Sequence, residues 1–449
     1  MPADLKITIR LAEGAMSDNK KEWTRREFCK TSLRIAGAGA GAAFFGPWKH
    51  NHAYATLRDK PITIGIATDA TGQYAKSGAS EKLGICMAIS EFNGQGGVLG
   101  RKIQWIHQDT GNDPATGTRV AEKMIERNEC NFLVGALSSG VSGAMGRVAQ
   151  KYGAIYCDTN SSSPSESGSH CHRVKFVWDG NGNNFGRAIV KNAIRSVGKD
   201  WTLLTSDYEW GRQINQAVRK AAEGKGARIT DELMVPESAA DFSRYLQEIK
   251  MRKPDVVAAA FCGEHLKALR AQVSHFGLER KPAWIFNQQD WPDIYGLPKG
   301  SLFGLFATCW YHKLDLPGVA DFVRKYRAVH PHEHIPVPGN VFYNGYMATR
   351  ELLRAVQRAG TVNNIAVIKE LEKLRIPALD RMQHHPAYMN PNTHHLQQTV
   401  YIARENMERR EDDDVFEILA SVGPDEVADA AAGGSCKLES YESTPTYEV

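Results

Sequence analysis

From Pro61 onward, short β-branched apolar runs alternate with stretches whose apolar residues recur at helical spacing. Ile62-Thr63-Ile64-Gly65-Ile66-Ala67 suits a buried strand. Leu83, Met87, Ile89 and Phe92 follow at near-helical spacing, and Asn93-Gly94-Gln95-Gly96-Gly97 ends that helix and turns the chain. Lys102 to Gln108 predicts the next strand, and Asp113-Pro114 an N-cap with proline at the first helical position of Ala115 to Glu126. Phe132 to Gly135 and Ala154 to Tyr156 read as further strands. The rhythm resumes with strands at Trp201 to Leu204, near Arg228, at Asp255 to Ala260 and at Ala283 to Phe286. Helices at Gly211 to Ala222, Phe242 to Lys250 and Glu264 to Phe276 separate them. Such alternation implies parallel sheets covered by helices on both faces: an α/β chain of two doubly wound lobes, joined near Trp178 to Gly182. Ligand-facing loops then lie at the carboxyl ends of the strands, and a cleft between lobes is a favoured place for a small-molecule site.

Composition narrows the classes. The chain has 449 residues, 42% of them hydrophobic, enough for two domains with appendages. A net charge of +4 with no basic block interleaved with aromatics speaks against nucleic acid as a partner. Stable membrane insertion is not expected, because no apolar stretch reaches roughly 18 residues. Eight cysteines are present and none of their spacings is C-x-x-C, so a zinc knuckle or redox pair is not indicated. Cys157 and Cys171 flank a polar loop and fit either a staple across it or two buried thiols.

Residues 1–55 are organised differently. Thr24-Arg25-Arg26-Glu27-Phe28-Cys29-Lys30 precedes a Gly/Ala-rich, weakly apolar run from Ile35 to Phe45, and Ala53-Tyr54-Ala55 supplies small residues for cleavage. That order predicts an export signal, and the arginine pair resembles a twin-arginine signal. The twin-arginine export machinery is then a partner, and the mature chain a periplasmic one. Residues 423–449 are Ala/Gly/Ser-rich and acidic, which predicts a mobile tail.

Six ordered motifs within residues 60–405 resemble the leucine/isoleucine/valine-type periplasmic binding proteins of ABC transporters, the type I two-lobed fold. They are Gly65 to Ala75; Glu91-Phe92-Asn93 through Gly96-Gly97-Val98-Leu99-Gly100-Arg101-Lys102-Ile103; Asp113-Pro114; Asp207-Tyr208-Glu209-Trp210-Gly211; Asp241-Phe242-Ser243 through Val257; and Gly345-Tyr346-Met347-Ala348, where Met347 replaces the usual aspartate. The resemblance implies a hinge of three crossings. Lobe one would be 56–178 plus 290–378, and lobe two 179–289 plus 379–422. It also implies a receptor that binds a small polar solute, an amino acid or a related amide or carboxylate, and passes it to a transporter permease.

Candidate ligand residues follow from loop position. Ser138, Ser139 and Gly140 lie between a strand and a helix-like run, where hydroxyls and free backbone N–H groups suit a carboxylate. The resemblance gives this loop the α-carboxylate. The other reading of this loop is a plain serine N-cap that touches no ligand. Asn160 and Ser161, in the loop from Asp158, fit either a ligand contact or an ordinary polar turn. Tyr74 suits an aromatic lid, and Tyr208 the facing lobe, while Trp210 fits either the pocket or helix packing. Glu264 and Asp290 are candidates for a cationic group, Glu264 equally for a first-turn helix residue. Asp290 follows Gln288 and Gln289 after the strand ending at Phe286.

No cofactor or metal is assigned. His330, His332, His334, His384, His385, His394 and His395 cluster in loops, but their spacings fit no helical ligand pair. An enzyme is not indicated: Ser138 and Ser139 lack the G-x-S-x-G elbow of a hydrolase, and Gly72 to Gly78 matches no nucleotide-binding loop. A ligand sensor feeding a signalling partner is the other reading that the same fold allows.

Overall fold

The fold is seen in a computed structural model that describes residues 60–289, 291–428 and 435–449. The export signal expected at residues 1–55 lies outside the described residues. The chain runs through β1 (Ile62–Thr68), α1 (Ala75–Gly94), β2 (Ile103–Asp109), α2 (Pro114–Glu126), β3 (Phe132–Gly135), α3 (Ser139–Tyr152), β4 (Ile155–Asp158) and β5 (Lys175–Val177). It continues with α4 (Gly182–Val197), β6 (Asp200–Ser206), α5 (Glu209–Glu223), β7 (Arg228–Val235), α6 (Ser243–Arg252), β8 (Val256–Ala260), α7 (Gly263–His275), β9 (Ala283–Gln288), α8 (Trp291–Ile294) and β10 (Leu305–Thr308). Then come α9 (Val319–Val329), α10 (Asn340–Ala359), α11 (Asn364–Glu372), β11 (Arg375–Ile376), α12 (Ala378–Arg381), β12 (Ala387–Asn390), β13 (His395–Gln397), β14 (Val400–Glu405), β15 (Phe416–Val422) and α13 (Pro424–Val427).

Local chemistry explains several boundaries. The Asp113 side chain accepts from the Thr116 N–H at 2.8 Å, with Pro114 at the first position, so α2 starts where the sequence places it. At the glycine turn before β2, Gly97 has φ +88°, and a Cβ there would lie 2.0 Å from the Arg101 carbonyl oxygen. β1, β3, β4 and β8 are buried along their whole length, as strands covered on both faces must be.

Two sheets result. The first has the order β11-β12-β13-β5-β4-β3-β1-β2 and the second β15-β14-β10-β9-β8-β6-β7. β2-β1-β3-β4-β5 and β7-β6-β8-β9-β10 are parallel, while β12, β14 and β15 join antiparallel neighbours. Strand order reverses beside β1 and beside β6, the two places where an open α/β sheet parts to admit a ligand. The chain passes between sheets after β5, after β10 and after β13.

Three expectations are corrected. β10 lies in the second sheet although its residues fall within 290–378, and β12 and β13 lie in the first although theirs fall within 379–422. The cause is long-range pairing: β13 runs beside β5 with His395 opposite Val177, and β10 beside β9 with Leu305 opposite Ile285. Cys171 is not bridged to Cys157, which is a buried free thiol; it pairs with Cys436. The tail from 435 to 449 is docked. The Glu439 carboxylate accepts from the Arg173 N–H at 2.7 Å, Tyr447 donates to the Cys130 carbonyl at 2.6 Å, and the Tyr447 N–H donates to Asn364 at 2.9 Å. Its average polarity hid these few anchors. Among the described residues no helix is long and apolar enough to cross a membrane.

Candidate functional site

Tyr74 stands just past β1, Leu137 and Ser139 past β3, and Asn160 and Ser162 past β4. From the second sheet come Tyr208 and Trp210 past β6, Cys262 past β8, and Gln288 at the end of β9. Together these nine residues line one cleft between the lobes. Each sits at the carboxyl end of a parallel strand, beside the two order reversals, because right-handed strand–helix crossovers bring those ends to one side.

The cleft is nearly shut. The Tyr74 hydroxyl lies 3.3 Å from that of Tyr208, and each is 3.1 Å from the Cys262 sulfur. Trp210 donates from Nε1 to Ser162 Oγ at 2.8 Å, and Ser163 Oγ and the Ser165 N–H both donate to Gln213 Oε1, at 2.5 and 2.8 Å. On the rim, Lys76 meets Glu264 at 3.3 Å and Gln73 donates to Glu237 at 3.2 Å. Burial, with the Cys262 sulfur next, pushes both tyrosine hydroxyls well above their ordinary range, so they face the cleft as neutral donors.

Four helices begin at this cleft. Tyr74, Ser138, Tyr208 and Cys262 are the N-caps of α1, α3, α5 and α7, and none of the four makes a side-chain capping bond. The first-turn N–H groups and the positive ends of four helices therefore gather around one small space. Ser139 is 3% exposed and its Oγ has no partner. The lining is rich in donors: two phenols, two serines, an indole, a thiol and two carboxamides.

Of the residues proposed from sequence, Tyr74, Ser139, Asn160 and Tyr208 line the cleft. Four do not. Ser138 caps α3 one step outside the lining, and a side chain on Gly140 would meet Pro114 Cγ at 3.2 Å. Ser161 is fully buried and holds the loop, its N–H donating to Asp158 at 3.1 Å. Glu264 is on the rim, its side chain 57% exposed between Lys76 and Lys267. Asp290 lies outside the described residues. Trp210, for which pocket and helix packing were both open, also lines the cleft; Leu137, Ser162, Cys262 and Gln288 were not proposed, although Cys262 is found by taking the second residue past β8 rather than the nearest charge. The histidine pairs have structural partners: His394 stacks on Phe176 at 4.3 Å and bonds Glu372 at 2.9 Å, and His395 reaches the Asp179 carbonyl at 2.8 Å.

The profile of the periplasmic binding protein family matches residues 61–410, most of the described chain. This chain belongs to that family. It is similar to the Leu/Ile/Val-binding protein BraC3 of Rhizobium johnstonii, 25% identical over 207 residues, which are 46% of this chain and 56% of the relative. The chain thus spans little more than half the length of that relative. Among solved structures it resembles the leucine-, isoleucine-, valine-, threonine- and alanine-binding protein of Brucella ovis in its closed conformation, with TM-score 0.75, 19% identity, and coverage of 85% of this chain and 99% of that one. It also resembles a solute-binding protein of an ABC transporter from R. palustris in complex with 4-hydroxybenzoate, with TM-score 0.74, 17% identity, and coverage of 81% and 98%. These likenesses establish the type I two-lobed fold.

Proposed function

We propose that this chain is the periplasmic solute receptor of an ABC transporter, closing on a small polar ligand that carries a carboxylate or comparable acceptor group. The observation that carries the reading is the meeting of four uncapped helix N-termini with the donor-rich lining. Tyr74, Tyr208 and Trp210 supply flat apolar walls for the rest of the solute. The relatives' own ligands, branched-chain amino acids in one case and 4-hydroxybenzoate in another, bracket the chemistry to be tried. Partners in this reading are the transporter permease and, from Arg25-Arg26, the twin-arginine machinery.

Thermal unfolding tests it. A true ligand at about 100 times its Kd adds roughly 2.7 kcal/mol of stability. L-Leucine and 4-hydroxybenzoate are the first probes, followed by other amino acids and aromatic acids. Ser139→Ala is expected to cut the affinity of the solute that binds without lowering the ligand-free melting temperature. Unchanged affinity would remove the N-terminus of α3 from the site. Asp290→Asn separates ligand classes: it weakens an amino acid and spares an aromatic acid, if Asp290 receives an ammonium group.

A further inference from the structure

Behind the cleft, α1 carries Glu81, which has no exposed surface. Its Oε1 accepts from Thr159 Oγ1 and, at 2.8 Å, from Asn160 Nδ2. Its Oε2 is buried without a partner. Asn160 Oδ1 in turn accepts from Asn344 Nδ2 at 3.1 Å, and the same amide donates to Asp179 Oδ1 at 3.0 Å. Asp179 Oδ2 accepts from Gln288 Nε2 at 2.6 Å. Asn160 and Gln288, near the two ends of this chain of bonds, line the cleft from opposite lobes, and Asp179 sits on the first crossing between them.

We propose that Glu81 is a positioning residue for ligand recognition: as a neutral acid it holds the Asn160 amide, and so fixes which polar group of Asn160 the solute meets. The proposal rests on reading the cleft as a solute site. An ionised Glu81 would leave a buried carboxylate oxygen with no donor, which is costly. Among the described residues, the groups around it do not supply a cation. On the β1 side stands Asp69, 1% exposed and with its own Oδ2 unpartnered. Beyond Thr159, Asp158 is already met by Lys175 at 3.4 Å. From α10 come Asn344 and the close-packed Gly345, where a Cβ would lie 2.8 Å from the Glu81 carbonyl oxygen. Lys82, next on α1, reaches outward to His107 on β2 at 3.5 Å. Burial is the largest cause raising the Glu81 pKa, to about 7, against the lowering effect of the Thr159 and Asn160 bonds and of the nearby Thr68 hydroxyl, which itself donates to the Gly78 carbonyl. The acid therefore titrates near neutrality, and loss of its proton tightens the bonds from Asn160 and Thr159 and sets an uncompensated negative charge behind the cleft, which disfavours a carboxylate-bearing solute.

The test begins without ligand. In the purified chain, the side-chain amide NMR signals of Asn160, assigned by their loss in Asn160→Ser, are expected to move with pH with a midpoint near 7. In Glu81→Gln, which keeps the Oε1 acceptor, they are expected to stay still. Absence of any shift between roughly pH 5.5 and 8.5, or the same shift in Glu81→Gln, overturns the proposal. The second arm uses L-leucine and 4-hydroxybenzoate as probes. The one that raises the melting temperature is expected to lose up to about tenfold in affinity from roughly pH 6 to pH 8 in the wild type. Glu81→Gln is expected to hold the pH 6 affinity within about threefold throughout. A pH-dependent affinity that persists in Glu81→Gln also overturns the proposal. Binding of neither probe counts against the proposed solutes, and the ligand-free titration then decides the role of Glu81 alone.

Discussion

On the first lobe, the loop that brings Asn160 and Ser162 to the cleft is backed by charges with no exposed surface: Lys175 lies against both Glu166 and Asp158, and Asp158 accepts from Ser142 Oγ and from the Ser161 N–H. On the second lobe, Tyr208, Trp210 and Cys262 rest on apolar Ile214 and Ala260 and send hydroxyl, indole N–H and thiol across the cleft to Tyr74 and Ser162. The buried charges behind the first wall are paired within their own lobe. Apart from the Tyr208–Cys262 contact, the bonds named on the second wall reach across to the first. The first wall is therefore shaped in advance of binding, and the second responds to closure.

The largest expected break in this comparison is Lys175→Met. It strands Asp158 without a cation and leaves Glu166 only its contact with His170 in place of one, and is expected to cost about 3–5 kcal/mol in denaturant unfolding. A loss under about 1 kcal/mol would mean that the buried charges do not hold the first wall. Next comes pH. Glu81 has a folded pKa of about 7 against 4.5 for a free glutamate, so the folded state holds its proton more tightly. Its contribution is fully present below about pH 4.5 and is lost as pH rises through 7, an effect on the order of 3 kcal/mol. Across that range the unfolding free energy from urea melts should fall by about this much more in the wild type than in Glu81→Gln. On the second wall, Trp210→Phe removes the bond to Ser162 and keeps a ring. Solute affinity is expected to fall about fivefold, by titration calorimetry, with little change in ligand-free stability. A stability loss as large as that of Lys175→Met would erase the distinction between the walls. Smallest is Glu264→Gln. Its rim pair with Lys76 is exposed, and is expected to change affinity by less than about threefold, and by still less at high salt. A tenfold loss for an amino acid would restore Glu264 as an ammonium acceptor.

The alternation of buried strands and amphipathic helices was legible over most of residues 62 to 288 because those elements are encoded locally; β5 and α4, beside the joint at Trp178 to Gly182, were not expected. Tyr74, Ser139, Asn160 and Tyr208 were legible for the same reason: each lies within a few residues of a readable strand end. The one-residue errors at Ser138, Gly140 and Ser161 come from turn geometry that composition does not state. Ala136 takes φ +77°, which decides which of the next residues faces the cleft. Glu264 was preferred to Cys262 because a charge was sought, whereas the cleft is lined by the residue closer to the strand. The exchange of β10 and β12–β13 between lobes, and the anchoring of the tail, depend on partners hundreds of residues away in some cases, for which no local pattern exists.

Cys262 gives the cleft a chemical clock. Its sulfur is covered by the hydroxyl of Tyr74 from the other lobe, while Cys130, Cys157 and Cys309 are buried within their lobes and Cys86 is half-buried on α1. A separation of the lobes would lift Tyr74 away and let a thiol reagent in. On the proposed function, the rate at which Cys262 is alkylated then counts opening events, and its slowing by a solute measures how long the cleft stays shut.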